Sequence, residues 1–83
     1  MLPPHILDQV RAGIPGIDIM HGVLKSDLVE AEQNLDEAQQ AEIESGEAMD
    51  SMERTYAEGY LDALLYLYQL TYDLSFAIGE KNA

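Results

Sequence analysis

The stretch "YAEGYLDALLYLYQLTYDLSFAI" (residues 56–78) decides how this chain folds, because it holds all five tyrosines and the densest run of leucines. Two apolar stripes at helical spacing pass through it. One begins upstream, with Met49, Met52, Tyr56, Tyr60, Ala63, Leu67, Leu70, Leu74 and Ala77 following at intervals of three and four. That is a heptad-like seam. Beside it run Leu61, Leu65, Tyr68, Tyr72 and Phe76, and Leu64 and Ile78 fill the space between. A helix apolar over most of its circumference must be buried over most of it. The spacing predicts a helix over 47–78, ended by Gly79, with 79–83 as a frayed polar tail.

Upstream, Ile17, Met20, Leu24, Leu28, Ala31, Leu35 and Ala38 hold a second helical phase and predict a helix over 17–44. Its apolar stripe is narrow, and Glu30, Glu37 and Glu44 recur every seven residues on the opposite side. An alternative start lies at Ser26 or Asp27, with Glu30 closing a capping box on Asp27. Between the two phases, "ESGEAMD" (44–50) reads as a break. Gly46 would end one helix in the left-handed conformation, and Glu47 and Asp50 would open the next, where acids suit the helix dipole. The competing arrangement is one very long helix that tolerates Gly46. At the start of the chain, Pro3 and Pro4 suit the first turn of a short helix over 3–13 carrying Ile6, Leu7 and Val10 on one side. "GIPG" (13–16) then breaks the chain.

The expected fold is therefore all-α, a short N-terminal helix followed by a hairpin of two long ones in a single domain. The narrow stripe of 17–44 covers one stripe of the last helix and not both. Leaving large apolar side chains uncovered forgoes about 1.5–3 kcal/mol each. Leu61, Leu65, Tyr68, Tyr72 and Phe76 are accordingly expected to self-associate, most simply as a symmetric dimer with a four-helix core. Tyrosine suits such a surface, since its ring adds apolar area while its hydroxyl reaches water. A chain of 83 residues has only a marginal core of its own, and with no cysteine it has neither disulfides nor thiolate metal sites to reinforce it. Association is the remedy that remains.

Charge is lopsided, sixteen acids against four bases, and uneven along the chain. Residues 1–25 are neutral overall, 26–58 hold eleven acids and only Arg54 for a net −10, and 59–83 carry net −2. Direct nucleic-acid binding is excluded as an expectation, because phosphate contacts need clustered Lys and Arg. An anionic membrane surface is disfavoured for the same reason. The segment 60–78 is long enough to span a bilayer, yet Asp62 and Asp73 would each cost about 2.5–3.5 kcal/mol near its centre. No targeting signal is visible, and the absence of cysteine fits a reducing, cytoplasmic setting.

Chemistry is thinly represented. There is no Gly-rich phosphate loop, no serine in a nucleophile elbow and no Glu-x-x-His pair for a di-iron bundle. Asp18 and His21 stand three residues apart and His5 could join them around a metal, but His21 beside a polar stripe reads as a solvated side chain. No enzyme activity, cofactor or metal is expected. The acidic run is either a solvated face that aids solubility or a surface complementary to a basic partner. In the second case Glu30, Glu37, Glu44, Glu47 and Asp50, which straddle the expected turn, are the binding residues. Carboxylates on successive helix turns can also imitate a phosphate track and occupy a nucleic-acid-binding groove.

The segment "MERTYAEGYLDALLYLYQLTYDLSFAIGE" (52–80) resembles the C-terminal halves of small uncharacterised acidic helical proteins encoded by tailed phages of actinobacteria. The resemblance covers about a third of the chain, contains no catalytic motif and transfers no residue roles. It implies a phage-encoded accessory protein acting in the host cytoplasm. With charge and patterning, it leads to a non-enzymatic interaction module, a regulator or inhibitor that binds a basic protein surface. The alternatives are a structural component packing into a larger helical array and a nucleic-acid mimic.

Overall fold

Three helices follow one another in the computed structural model, which describes residues 1–82: α1 (Pro4–Arg11), α2 (Gly16–Ser45) and α3 (Ala48–Asn82). Pro4 opens α1 where its missing N–H would have no partner in any case. The Pro3 carbonyl accepts hydrogen bonds from the Ile6 and Leu7 amides, both at 3.1 Å. At the other end the Gly13 amide bonds the Val10 carbonyl at 3.0 Å, and the Ile14 amide bonds that of Gln9 at 3.1 Å. This is a Schellman cap. Gly13 takes the left-handed φ of 80° that the cap requires and that side chains with a Cβ resist. The helix thus stops at Arg11 rather than 13, its expected last residues being used as the cap.

Pro15 leads directly into α2, its carbonyl accepting from the Asp18 and Ile19 amides. α2 therefore starts at Gly16, and Ser26 and Asp27 lie within it. Gly46, at φ 65°, ends α2 with its amide on the Glu42 carbonyl at 2.9 Å. The chain reverses within Gly46 and Glu47. The Ser45 hydroxyl stitches this turn by accepting from the Glu47 amide at 3.2 Å and donating to the Asp50 carboxylate.

α3 runs on through Gly79 to Asn82, so the expected stop at 78 and the polar tail over 79–82 are corrected. An isolated glycine weakens a helix by about 1 kcal/mol relative to alanine, which ends it only where something else helps. Here no proline follows, and Lys81 in the last turn suits the negative end of the dipole. Ala83, the last residue of that expected tail, lies outside the described residues.

α2 and α3 pack as an antiparallel hairpin in a flat rod of 53 × 28 × 16 Å. The core is small: Leu28, Ala31 and Leu64 are buried, with Leu24, Leu61 and Tyr68 packed against them. α1 folds back on α2, where Ile6 and Ile19 are both buried. The α2 stripe lies largely where its spacing placed it, although Met20 is 57% exposed.

α3 differs from expectation by roughly a third of a turn about its axis, at 100° per residue. The line facing α2 is Ala57, Leu61, Leu64, Tyr68, Thr71 and Ser75, all buried or half-buried. The expected seam of Met49, Met52, Tyr56, Tyr60, Leu67, Leu70 and Leu74 lies exposed along one flank. In this rotation the polar α3 residues Arg54, Thr71 and Ser75 meet Glu42, His21 and Asp18 on α2.

Candidate interaction surfaces

Two polar clamps hold the hairpin in register. Near its open end the Thr71 hydroxyl donates to the Tyr68 carbonyl at 3.0 Å, so it must accept from His21 Nδ1, which lies 2.8 Å away. The His21 proton is therefore on Nδ1. Its ring stacks on Tyr68 with centroids 4.4 Å apart and 28° between planes. One turn away, the Ser75 hydroxyl donates to Asp18 at 2.6 Å. Near the turn, Arg54 Nε donates to Glu42 at 2.6 Å and a terminal guanidinium nitrogen donates to Glu58 at 2.8 Å. The Arg54 hydrogen bond, helped by one from Ser51, lowers the pKa of Glu42. The bonds to Glu42 and Glu58 raise that of Arg54 in return.

His21, expected to be solvated, is half-buried between the helices. Burial is tolerated because its donor is satisfied and its ring face is covered by an aromatic one. Asp18 and His21 each engage α3 separately, and His5 lines a groove built partly by α1. Among the described residues no group of three or more His, Cys, Asp or Glu side chains is placed to hold a metal ion.

That groove has a volume of about 650 Å³. Leu2 and Ile6 line it from the α1 side, Met20 and Val23 from α2, and Leu67 and Leu74 from α3. Leu70 completes the α3 wall, and Thr71 and His5 supply the polar atoms. Leu2, Leu67, Leu70 and Leu74 remain more than two-fifths exposed. Towards the turn the same side continues into a hollow of about 280 Å³ between Ala31, Asn34, Tyr56, Ala57 and Tyr60. An apolar flank thus runs along α3 from Tyr56 to Ile78.

The residues expected to self-associate are split by the fold. Leu61 and Tyr68 lie inside the hairpin against the core. Leu65, Tyr72 and Phe76 are exposed on the flank opposite the groove, where Tyr72 and Phe76 border a hollow of about 230 Å³ with His21 and Ser75. The expected partner-binding acids fare more evenly. Glu30, Glu37 and Glu44 are exposed on the side of α2 turned away from α3, and Glu47 is exposed in the turn. Asp50 is half-buried and occupied by Ser45. Arg54, the one base between 26 and 58, is already engaged by two carboxylates, so the exposed acids there have no local cation.

Sequence periodicity missed the groove because three elements build it. A signal was present in Met20 and Val23, apolar residues at or beyond the edge of the α2 stripe. The open-end clamp also left a trace, since Asp18 and His21 stand three apart and Thr71 and Ser75 four apart. No family model, curated protein or solved structure matches this chain. Among the described residues no helix is long and apolar enough to cross a membrane.

Proposed function

We propose that the chain is a non-enzymatic protein-interaction module, a hairpin that self-associates by its apolar end and meets a basic protein surface with its acidic end. The observation that carries this reading is the segregation of two surfaces along one 53 Å rod. The open end bears the apolar groove, whereas the half nearer the turn bears Glu37, Glu44 and Glu47, with Glu30 midway along α2, and among the described residues none of these four acids is in a salt bridge. Keeping ten net negative charges together between residues 26 and 58 opposes compaction, a cost that recognition of a basic partner would offset. Such a module fits a small regulator or inhibitor in the host cytoplasm, as the phage resemblance of residues 52–80 implies.

The test is partner capture with the Glu37→Lys, Glu44→Lys double variant beside the native chain. Charge reversal should slow association with the basic partner and weaken its salt dependence while helicity is unchanged. An affinity unaffected by the reversals would remove the acidic face from the reading. A second reading, a component of a larger helical array, is favoured by the exposure of Leu65, Tyr72 and Phe76 on the flank opposite the groove. Apolar surface on both flanks allows open-ended growth, which light scattering would register as mass rising with concentration.

A further inference from the structure

The geometry points to a two-fold dimer in which the groove flank of α3, carrying Tyr60, Leu67, Leu70 and Leu74, packs into the groove of a second copy with the two acidic turns at opposite ends. This rests on the reading of the apolar end as the assembling surface and specifies what covers it.

Surface area identifies the occupant. The chain exposes 6323 Å², whereas a compact folded chain of its size exposes about 4,900 Å². The excess is roughly 1,400 Å² per chain; covering about half of it on each of two copies would bury about 1,400 Å² in all, within the range of specific protein interfaces. The radius of gyration, 16.8 Å, similarly exceeds the roughly 12 Å of a compact chain this long. With a thickness of 16 Å the hairpin is a single layer of helices. A layer with an apolar face needs a second layer to enclose a core, and another copy supplies one. A small apolar ligand in the groove would leave the flank beyond it, at Tyr60 and Ala63, uncovered.

Charge selects the flank. Tyr56, Tyr60, Ala63, Leu67, Leu70, Leu74 and Ile78 form an uncharged strip. The opposite flank sets Leu65, Tyr72 and Phe76 among Glu58, Gln69 and Asp18, whose burial would carry a desolvation cost. On α2 the groove side is apolar at Met20 and Val23 but turns polar at Asp27 and Asn34 towards the turn. The overlap is thereby confined to the open half of the rod.

Charge also sets the orientation. A parallel pair would bring together two segments of net −10 each. An antiparallel pair overlaps residues 60–78, a length of about 27 Å, and points the acidic turns outward. Two 53 Å rods sharing that overlap make a particle about 80 Å long.

Because the chain has no cysteine, Glu44→Cys can be spin-labelled cleanly near the turn. Light scattering of the native chain at tens of micromolar, dipolar spectroscopy on the labelled chain and two aspartate variants make the test. The expected results are a dimer mass and a label separation beyond about 50 Å. Leu67→Asp should weaken the dimer about 100-fold, and Leu65→Asp should change it less than about threefold. A folded monomer, labels closer than about 40 Å, or dissociation by Leu65→Asp instead of Leu67→Asp would each overturn the proposal. Where Leu67→Asp fails to fold, the label separation in the otherwise native chain decides. The Glu37 and Glu44 reversals lie outside this interface, so a failed dimer and a failed acidic face give separate results.

Discussion

Leu64→Ala is the substitution that most directly tests how α3 is rotated. Leu64 is 6% exposed and packs with Leu28 and Ala31 at the centre of the core, whereas Leu65 beside it is 46% exposed on a flank. Truncating a buried leucine costs about 3–5 kcal/mol when its surroundings cannot collapse into the space. This seam is one layer thick and open at its edges, so partial collapse places the cost near the lower bound, about 3 kcal/mol. Leu65→Ala removes a side chain that folding only half covers and should cost about 1 kcal/mol or less. A chain of this length is stable by only about 4–12 kcal/mol, so the first variant loses a quarter or more of the total. Urea titration followed by circular dichroism, at one fixed chain concentration, resolves the difference as a shift in midpoint at constant slope. Equal losses, or a larger loss for Leu65→Ala, would refute the rotation. Neither residue lies on the proposed dimer flank, so the comparison does not depend on the oligomer.

Stability should pass through a maximum near pH 5. Descending from pH 7, partial neutralisation of the acids between 26 and 58 relieves repulsion and raises the melting temperature, as about 0.5 M salt should at neutral pH. Further down the sign reverses. The folded pKa of Glu42 is lowered by Arg54, so its contribution is present above the unfolded value and is lost as pH falls through the folded one. Glu42→Gln should therefore be less stable than the native chain at pH 7 and converge with it in acid. A melting temperature flat across both titrations would show the acids to be compensated. Gly22→Ala should stabilise by about 1 kcal/mol, since its Cβ would meet nothing within 4 Å. Gly46→Ala should destabilise by about 1 kcal/mol, because the turn requires a left-handed φ. Nitrogen-15 NMR of neutral His21 should show the proton on Nδ1, and Thr71→Val should cost about 1 kcal/mol by removing its acceptor. A proton on Nε2 would contradict the clamp.

Local punctuation was legible from residue types alone. The breaks at Gly13 and Gly46 and the all-α hairpin follow from backbone rules that act over a few residues, and the α2 stripe follows from a single unambiguous periodicity. Gly79 shows the limit of such rules: the same residue type ends a helix only where a cap forms around it, and here the helix continues. α3 was ambiguous for a different reason. Its apolar residues span so much of its circumference that hydrophobicity alone assigns no facing line, and nine residues in heptad-like spacing ended exposed on one flank or at its edge. The choice fell to tertiary matching. Arg54, Thr71 and Ser75 read as polar interruptions along the chain, yet across the hairpin they meet Glu42, His21 and Asp18. Satisfied polar groups can be buried at little cost and unsatisfied ones cannot. Aligning those pairs fixes the rotation of α3, turns the longer apolar stripe outward, and so creates a groove that no one helix encodes.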